Sequence, residues 1–270
     1  MRPSVVFGAA GFVGRHLARY LEAQGREVIR VTRDVPRPLP RLLGPAYYCV
    51  GMTRDFSADP AQTVDAHCGL LAVLTRDHDL EGLVYLSSTR LYDGRTRGEE
   101  DDVLPLDPRD PRHLYDLSKA LGESLTIAAG GRVARLANVY ASELDAPLFI
   151  HEAVLAAQEG RGTPVARYAD AARDYVHVDD VCAALRSLAE EDGPQTVNVA
   201  SGRNISNRQL FDLLEARTGH RLVAEVEAGA PEAPLISTVR LREAGVMPRT
   251  LEQALEDMIG YCMPAERRVA

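Results

Sequence analysis

Tyr115 and Lys119 lie four residues apart in Tyr115-Asp-Leu-Ser-Lys119. On a helix that spacing puts the phenol and the ammonium on one face, where the cation favours the phenolate and tunes a proton donor. About a hundred residues earlier, Gly8-Ala-Ala-Gly11-Phe-Val-Gly14 places glycines where three things are needed: a tight turn, a close backbone approach to a pyrophosphate, and close helix packing. The helix it opens offers free N–H groups to phosphates, so Gly8, Gly11, Phe12, Val13 and Gly14 are candidate cofactor contacts. Glycine loops also serve plain strand-to-helix turns, but this one follows an apolar strand and opens an apolar helix. A dinucleotide beside a tuned phenol means redox chemistry at a carbon bearing oxygen.

The Tyr–Lys pair alone arises by chance in many helices. Ser88 changes the reading, because it ends a strand at the sheet edge where open α/β folds place ligands, and its hydroxyl can bond the same substrate oxygen. Ser88, Tyr115 and Lys119 are therefore the candidate catalytic set. Leu86 and Ser87 precede Ser88 on the cofactor side, and Thr89 and Arg90 follow it on the substrate side.

The elements that must hold these residues alternate between strand and helix. Ser4 to Gly8, Val28 to Thr32, Ala46 to Val50, Leu83 to Ser87 and Arg132 to Ala137 read as strands. Gly11 to Gln24, Thr63 to Thr75 and the Tyr115 segment read as helices between them. Thr196 to Ala200 returns to the same sheet, Arg221 to Val226 is a further strand, and helices cover Pro147 to Glu159, Asp179 to Glu190, Ser206 to Thr218 and Thr250 to Cys262. The expected fold is α/β: a Rossmann-type, doubly wound parallel sheet with a small interleaved C-terminal α/β substrate domain. Residues 1–140 with about 174–200 form the dinucleotide-binding domain, and about 141–173 with 201–270 the substrate domain.

The chain has 270 residues, enough for a large core, and a net charge of -8 with scattered basic residues, which argues against nucleic acid as a partner. Cys49, Cys68, Cys182 and Cys262 form no CxxC pair and the seven histidines show no ligand spacing, so no metal is implied. Neither a signal peptide nor a membrane span fits the pattern, and a cytoplasmic protein is expected.

At this point the chain resembles the extended short-chain dehydrogenases/reductases, the NAD-dependent epimerase/dehydratase group that acts on nucleotide sugars. Gly8 to Gly14 looks like that family's phosphate loop, Leu86-Ser-Ser-Thr-Arg-Leu-Tyr92 like its catalytic serine strand, and Tyr115 to Lys119 like its YxxxK motif. Arg135 to Tyr140, Arg173 to Asp180, Asn198 to Gly202 and Ala244 to Pro248 also match in order. The resemblance implies hydride transfer between nicotinamide and a sugar carbon while Tyr115 moves the hydroxyl proton. It implies that Lys119 holds the nicotinamide ribose and depresses the Tyr115 pKa, and that Ser88 orients the carbonyl. Asn138 and Arg173 become candidates for the substrate's diphosphate or nucleotide, against the plainer readings of a strand-end turn residue and a surface ion pair.

Departures from the pattern narrow the function. Where NAD users end the second strand on an acid, this chain has Thr32 followed by Arg33, which accommodates a 2′-phosphate and points to NADP; NAD remains the alternative if Asp34 fills the acid's role. Between Thr32 and Ala46 only 13 residues remain. Extended, they reach roughly 43 Å, enough to return along one strand and cross one neighbour, so one edge strand of the family sheet is read as deleted. Thr89-Arg90 stands where sugar dehydratases carry Asp-Glu, and Ala66-His67-Cys68-Gly69 lacks the usual asparagine. The expected activity is reduction of a keto group on a nucleotide-linked deoxysugar by NADPH. A 4-epimerase and a non-enzymatic NADP-sensing protein are the alternatives. A homodimer is expected, with Leu70, Leu71 and Leu74 suited to a helical contact or, equally, to the core.

Overall fold

A computed structural model describes residues 2–32, 42–52, 56–161 and 164–260. The first unit is β1 (Ser4–Phe7), α1 (Phe12–Ala23) and β2 (Val28–Val31), followed by β3 (Leu42–Tyr48). Next come α2 (Pro60–Val64), a π turn (Asp65–Gly69), α3 (Leu70–Asp77) and β4 (Asp79–Ser88), which runs into a 3₁₀ turn (Thr89–Tyr92). β5 (Arg97–Gly98), α4 (Leu114–Ala128), β6 (Arg132–Leu136), β7 (Asn138–Tyr140), α5 (Phe149–Glu159), β8 (Ala166–Tyr168) and β9 (Ala172–His177) follow. The remainder is α6 (Val178–Glu190), β10 (Thr196–Val199), β11 (Asn204–Ser206), α7 (Asn207–Thr218), β12 (Ala224–Val226), β13 (Leu235–Ile236), α8 (Val239–Glu243) and α9 (Leu251–Gly260).

Six strands form one parallel sheet in the order β10-β6-β4-β3-β1-β2. β1, most of β6 and residues 83–87 of β4 are buried on both faces, as helices on both sides require, whereas the edge strand β2 is partly exposed. Leu17 and Leu21 of α1 and Val181 and Leu185 of α6 pack on one face, and Leu71 and Leu74 of α3 pack on the other against Val5, Phe7, Tyr48 and Tyr85. Among the described residues the sheet ends at β2; residues 33–41, on which the expected deletion turns, lie outside them. Smaller sheets (β11-β9-β7, β12-β8 and β13-β5) build the second half. There α7 is fixed by a Ser206/Gln209 capping box and ends on left-handed Gly219.

Three expectations change. β3 starts at Leu42, ahead of the Ala46 expected for that strand, because irregular register around Gly44 and Pro45 lets the strand pass its proline. The single helix expected from Thr63 to Thr75 is broken by the π turn, where a Cβ on Gly69 would collide with the Asp65 carboxylate. Leu71 and Leu74 are fully or almost fully buried in the chain's own core, so of the three leucines expected at a subunit contact only Leu70 retains exposure. No helix among the described residues is long and apolar enough to cross a membrane.

Candidate active site

A cleft of about 630 Å³ opens over the C-terminal ends of the sheet strands. Its walls bring together twelve residues singled out in the sequence: Gly11, Phe12, Val13, Leu86, Ser87, Ser88, Thr89, Arg90, Tyr115, Lys119, Asn138 and Arg173. Gly8 and Gly14 shape the loop without lining the cleft. Gly8 has φ +78°, and a Cβ there would lie 2.9 Å from the Cys49 carbonyl; one on Gly14 would strike the Gly8 carbonyl oxygen. Thr32 sits past the end of β2, off the cleft wall, and Arg33 lies outside the described residues.

Tyr115 is in the first turn of α4 and 6% exposed. Burial raises its pKa, while interaction with the Ser88 side chain and the Arg90 charge oppose the rise. The expected depression by Lys119 is not what the structure contains. The two side chains share a face, but the Lys119 ammonium stands 6.0 Å from the Tyr115 ring centre and donates to the Leu86 carbonyl at 2.9 Å. A buried ammonium turns to the nearest acceptor, and burial lowers its own pKa to about 8.

Other residues around the phenol had no sequence signal strong enough to find them. His67, fully buried on the π turn, meets the Tyr115 ring edge-on at 5.2 Å. Its Nε2 accepts from the Met52 N–H at 3.1 Å, so Nδ1 carries the proton to Ser118 Oγ at 2.7 Å, and Ser118 donates to the Tyr115 carbonyl. Burial and the Lys119 charge drive the His67 pKa down to about 3, so it stays neutral. Ser118 was visible inside the Tyr115–Lys119 segment, but its partner 51 residues away was not.

Asp116 is 4% exposed, and burial raises its carboxyl to about 6 although Arg90 opposes the shift. The folded pKa lies above the carboxyl's ordinary value of 3.8, so the native state holds this proton longer than the unfolded chain. Its contribution to stability is complete below that ordinary value and is lost as pH rises through about 6. Against Asp116→Asn, which cannot titrate, the wild-type chain is therefore expected to lose relative stability between pH 4.5 and pH 7. Urea midpoints at the two pH values measure it; a difference independent of pH would contradict the shift.

On the opposite wall, Asn138 donates through Nδ2 to the Asp174 carbonyl at 3.0 Å, so part of its bonding capacity serves the strand end. The Arg173 guanidinium lies 4.7 Å over the Phe149 ring and donates to Asn207 Oδ1 at 3.0 Å. The Asp174 carboxylate accepts from the backbone N–H groups of Ser201, Gly202 and Arg203, which ties the Asn198 to Gly202 stretch to the cleft.

These residues fit a dinucleotide. No side chain caps α1, whose first turn lines the cleft, and the glycine loop beneath it has no room for a Cβ at Gly8 or Gly14.

Comparisons with known proteins give the family and the fold. A family model described as the NAD dependent epimerase/dehydratase family matches residues 4–58 and 46–200. "Putative GDP-L-fucose synthase 2" of Oryza sativa subsp. japonica is 31% identical over 101 residues, 36% of this chain and 29% of that protein. The two curated relatives matched are thus covered over 29% and 63% of their own lengths. RMD from Pseudomonas aeruginosa, solved with NADPH, is 26% identical with a TM-score of 0.74, covering 96% of this chain and 98% of that one. MoeE5, solved with UDP-glucose and NAD, has a TM-score of 0.78 at 22% identity, covering 96% and 97%, a likeness of fold.

Proposed function

Because the chain belongs to the NAD-dependent epimerase/dehydratase family, we propose that it is an NADPH-dependent reductase of a keto group on a nucleotide-linked deoxysugar. The observation that carries reduction over epimerisation is the sheet edge. Among the described residues the sheet ends at β2, and Thr32 stands where an acid would grip the adenosine ribose. An edge on which no acid among the described residues takes up that grip suits a cofactor that leaves after each turnover, as a reductase needs. The NADPH held by the Pseudomonas aeruginosa relative supports the same choice.

Ser88, Tyr115 and Lys119 are the catalytic set in this reading. When bound, the nicotinamide cofactor supplies the hydride. Tyr115 gives its proton to the carbonyl oxygen as that oxygen becomes a hydroxyl, and Ser88, on the same cleft wall, orients the same oxygen. Gly11, Phe12 and Val13 would hold the pyrophosphate, Leu86 and Ser87 would flank the nicotinamide, and Lys119 would hold its ribose. Thr89, Asn138 and Arg173 would contact the nucleotide sugar, Arg173 through its planar fork.

Residues 1–140 with about 174–200 serve the cofactor, and about 141–173 with 201–270 the substrate. A homodimer belongs to the same reading; Leu121 and Ile127 of α4 are the exposed apolar residues on the catalytic helix.

The test is an assay of NADPH consumption with a nucleotide-linked 4-keto sugar. Oxidation of one NADPH per sugar reduced is the expected result. Isomerisation of a nucleotide sugar with no net cofactor consumption would replace reduction by epimerisation.

A further inference from the structure

Arg90 has a guanidinium placed for a task that its position near the substrate wall does not explain. It lies 4.9 Å from the centre of the Phe56 ring and 5.1 Å from that of Tyr115, while the two rings are 5.5 Å apart and tilted by 58°. The cation therefore rests on both aromatic faces at once. Behind it, Nε pairs with Asp116 at 3.2 Å, and Nη2 donates to the Arg112 carbonyl at 3.2 Å. The Asp116 side chain is 6% exposed, and α4 fixes its place next to Tyr115. The backbone N–H of the same Arg90 donates to Ser88 Oγ at 3.2 Å. One residue thus touches both members of the hydroxyl pair.

We propose that Arg90 is a positioning residue for the proton donor: anchored by Asp116, it clamps the Tyr115 ring against Phe56 and supplies the cation that stabilises the phenolate. This rests on Tyr115 being the proton donor named above. Lys119 stands farther from the same ring at 6.0 Å and spends a proton on the Leu86 carbonyl. The other groups facing the phenol do not replace Arg90. His67, from the π turn, is neutral; Asp116, from α4, is anionic when ionised; Asp93 and His113 act on Asp116. Burial alone would leave Tyr115 a poor acid, and the Arg90 charge is among the few features opposing it.

The test reads the phenol directly in the full chain, without substrate. Tyrosine labelled with ¹³C at Cζ is followed from about pH 7 to about pH 12, across the phenol's ordinary range, and the Tyr115→Phe spectrum identifies the Tyr115 signal. Arg90→Met keeps apolar reach between the rings and removes the charge; Arg90→Lys keeps the charge. The Tyr115 midpoint is expected to rise by about one pH unit in Arg90→Met, or to leave the titrated range. In Arg90→Lys it is expected to stay near the wild-type value. Should Arg90→Met fail to fold, Arg90→Gln carries the same arm. A midpoint unmoved by loss of the charge overturns the proposal. So does an equal shift in both variants, or a wild-type phenol that stays protonated throughout. A chain that titrates as stated yet reduces no keto sugar fails the functional reading alone.

Discussion

Tyr115→Phe is expected to lower kcat for keto-sugar reduction by about 10²- to 10⁴-fold, the usual worth of a positioned general acid. Dinucleotide affinity should stay nearly unchanged. The substitution removes one oxygen and leaves the ring packed between Phe56 and the edge of His67. At most one neutral side-chain hydrogen bond goes with that oxygen, so the folded state loses about 0.5–1.5 kcal/mol at most. The loss must therefore appear in turnover and not in the amount of folded enzyme. Steady-state kinetics with NADPH, beside dinucleotide titration of the same variant, separates the two. Turnover within tenfold of wild type would move the proton donor elsewhere. Ser88 would then be the group to examine, since its hydroxyl lines the same cleft.

Much of this arrangement was legible in the sequence, because alternating apolar runs and helical spacing report what each segment buries. β1, β2, β4 and β6 and the glycine turn lie where that pattern puts them, and among the described residues the sheet ends at β2. What was not legible depends on partners far apart in the chain. Spacing put Lys119 on the face of Tyr115, but it could not say that the Leu86 carbonyl, 33 residues earlier, would take the ammonium. Arg90 was visible as a departure from the dehydratase pair; its stacking partner Phe56 and its anchor Asp116 come from separate segments. Leu70, Leu71 and Leu74 formed an apolar stripe whose period does not tell core from interface, and packing against Tyr48 and Tyr85 settled it for Leu71 and Leu74. Pro45 hid the start of β3, since proline inside a central strand argues against a strand unless the register is irregular there.

The largest effect on stability is expected one turn beyond Lys119, at Glu123. Tyr115, Lys119 and Glu123 recur every four residues on the buried face of α4, and Glu123 meets Arg135 of β6 through two bonds, Nε to Oε1 at 2.9 Å and Nη2 to Oε2 at 2.7 Å. Both residues are 5% exposed. The same guanidinium donates from Nη1 to the Tyr92 hydroxyl at 2.6 Å, and Tyr92 passes its own proton to Asn198 Oδ1 at 2.8 Å. Helix, central strand, 3₁₀ turn and β10 are thus joined through one cation. Arg135→Met strands a buried carboxylate and is expected to cost about 3–5 kcal/mol, read as a lower urea midpoint. Glu123→Leu strands the guanidinium and should cost a similar amount. The double variant Arg135→Met/Glu123→Leu leaves neither charge, and Tyr92 keeps its bond to Asn198, so most of the loss should be regained. Two single losses that simply add would mean that the ion pair contributes by packing alone. Recovery would mean that the buried pair specifies where α4, and with it Tyr115, sits against the sheet.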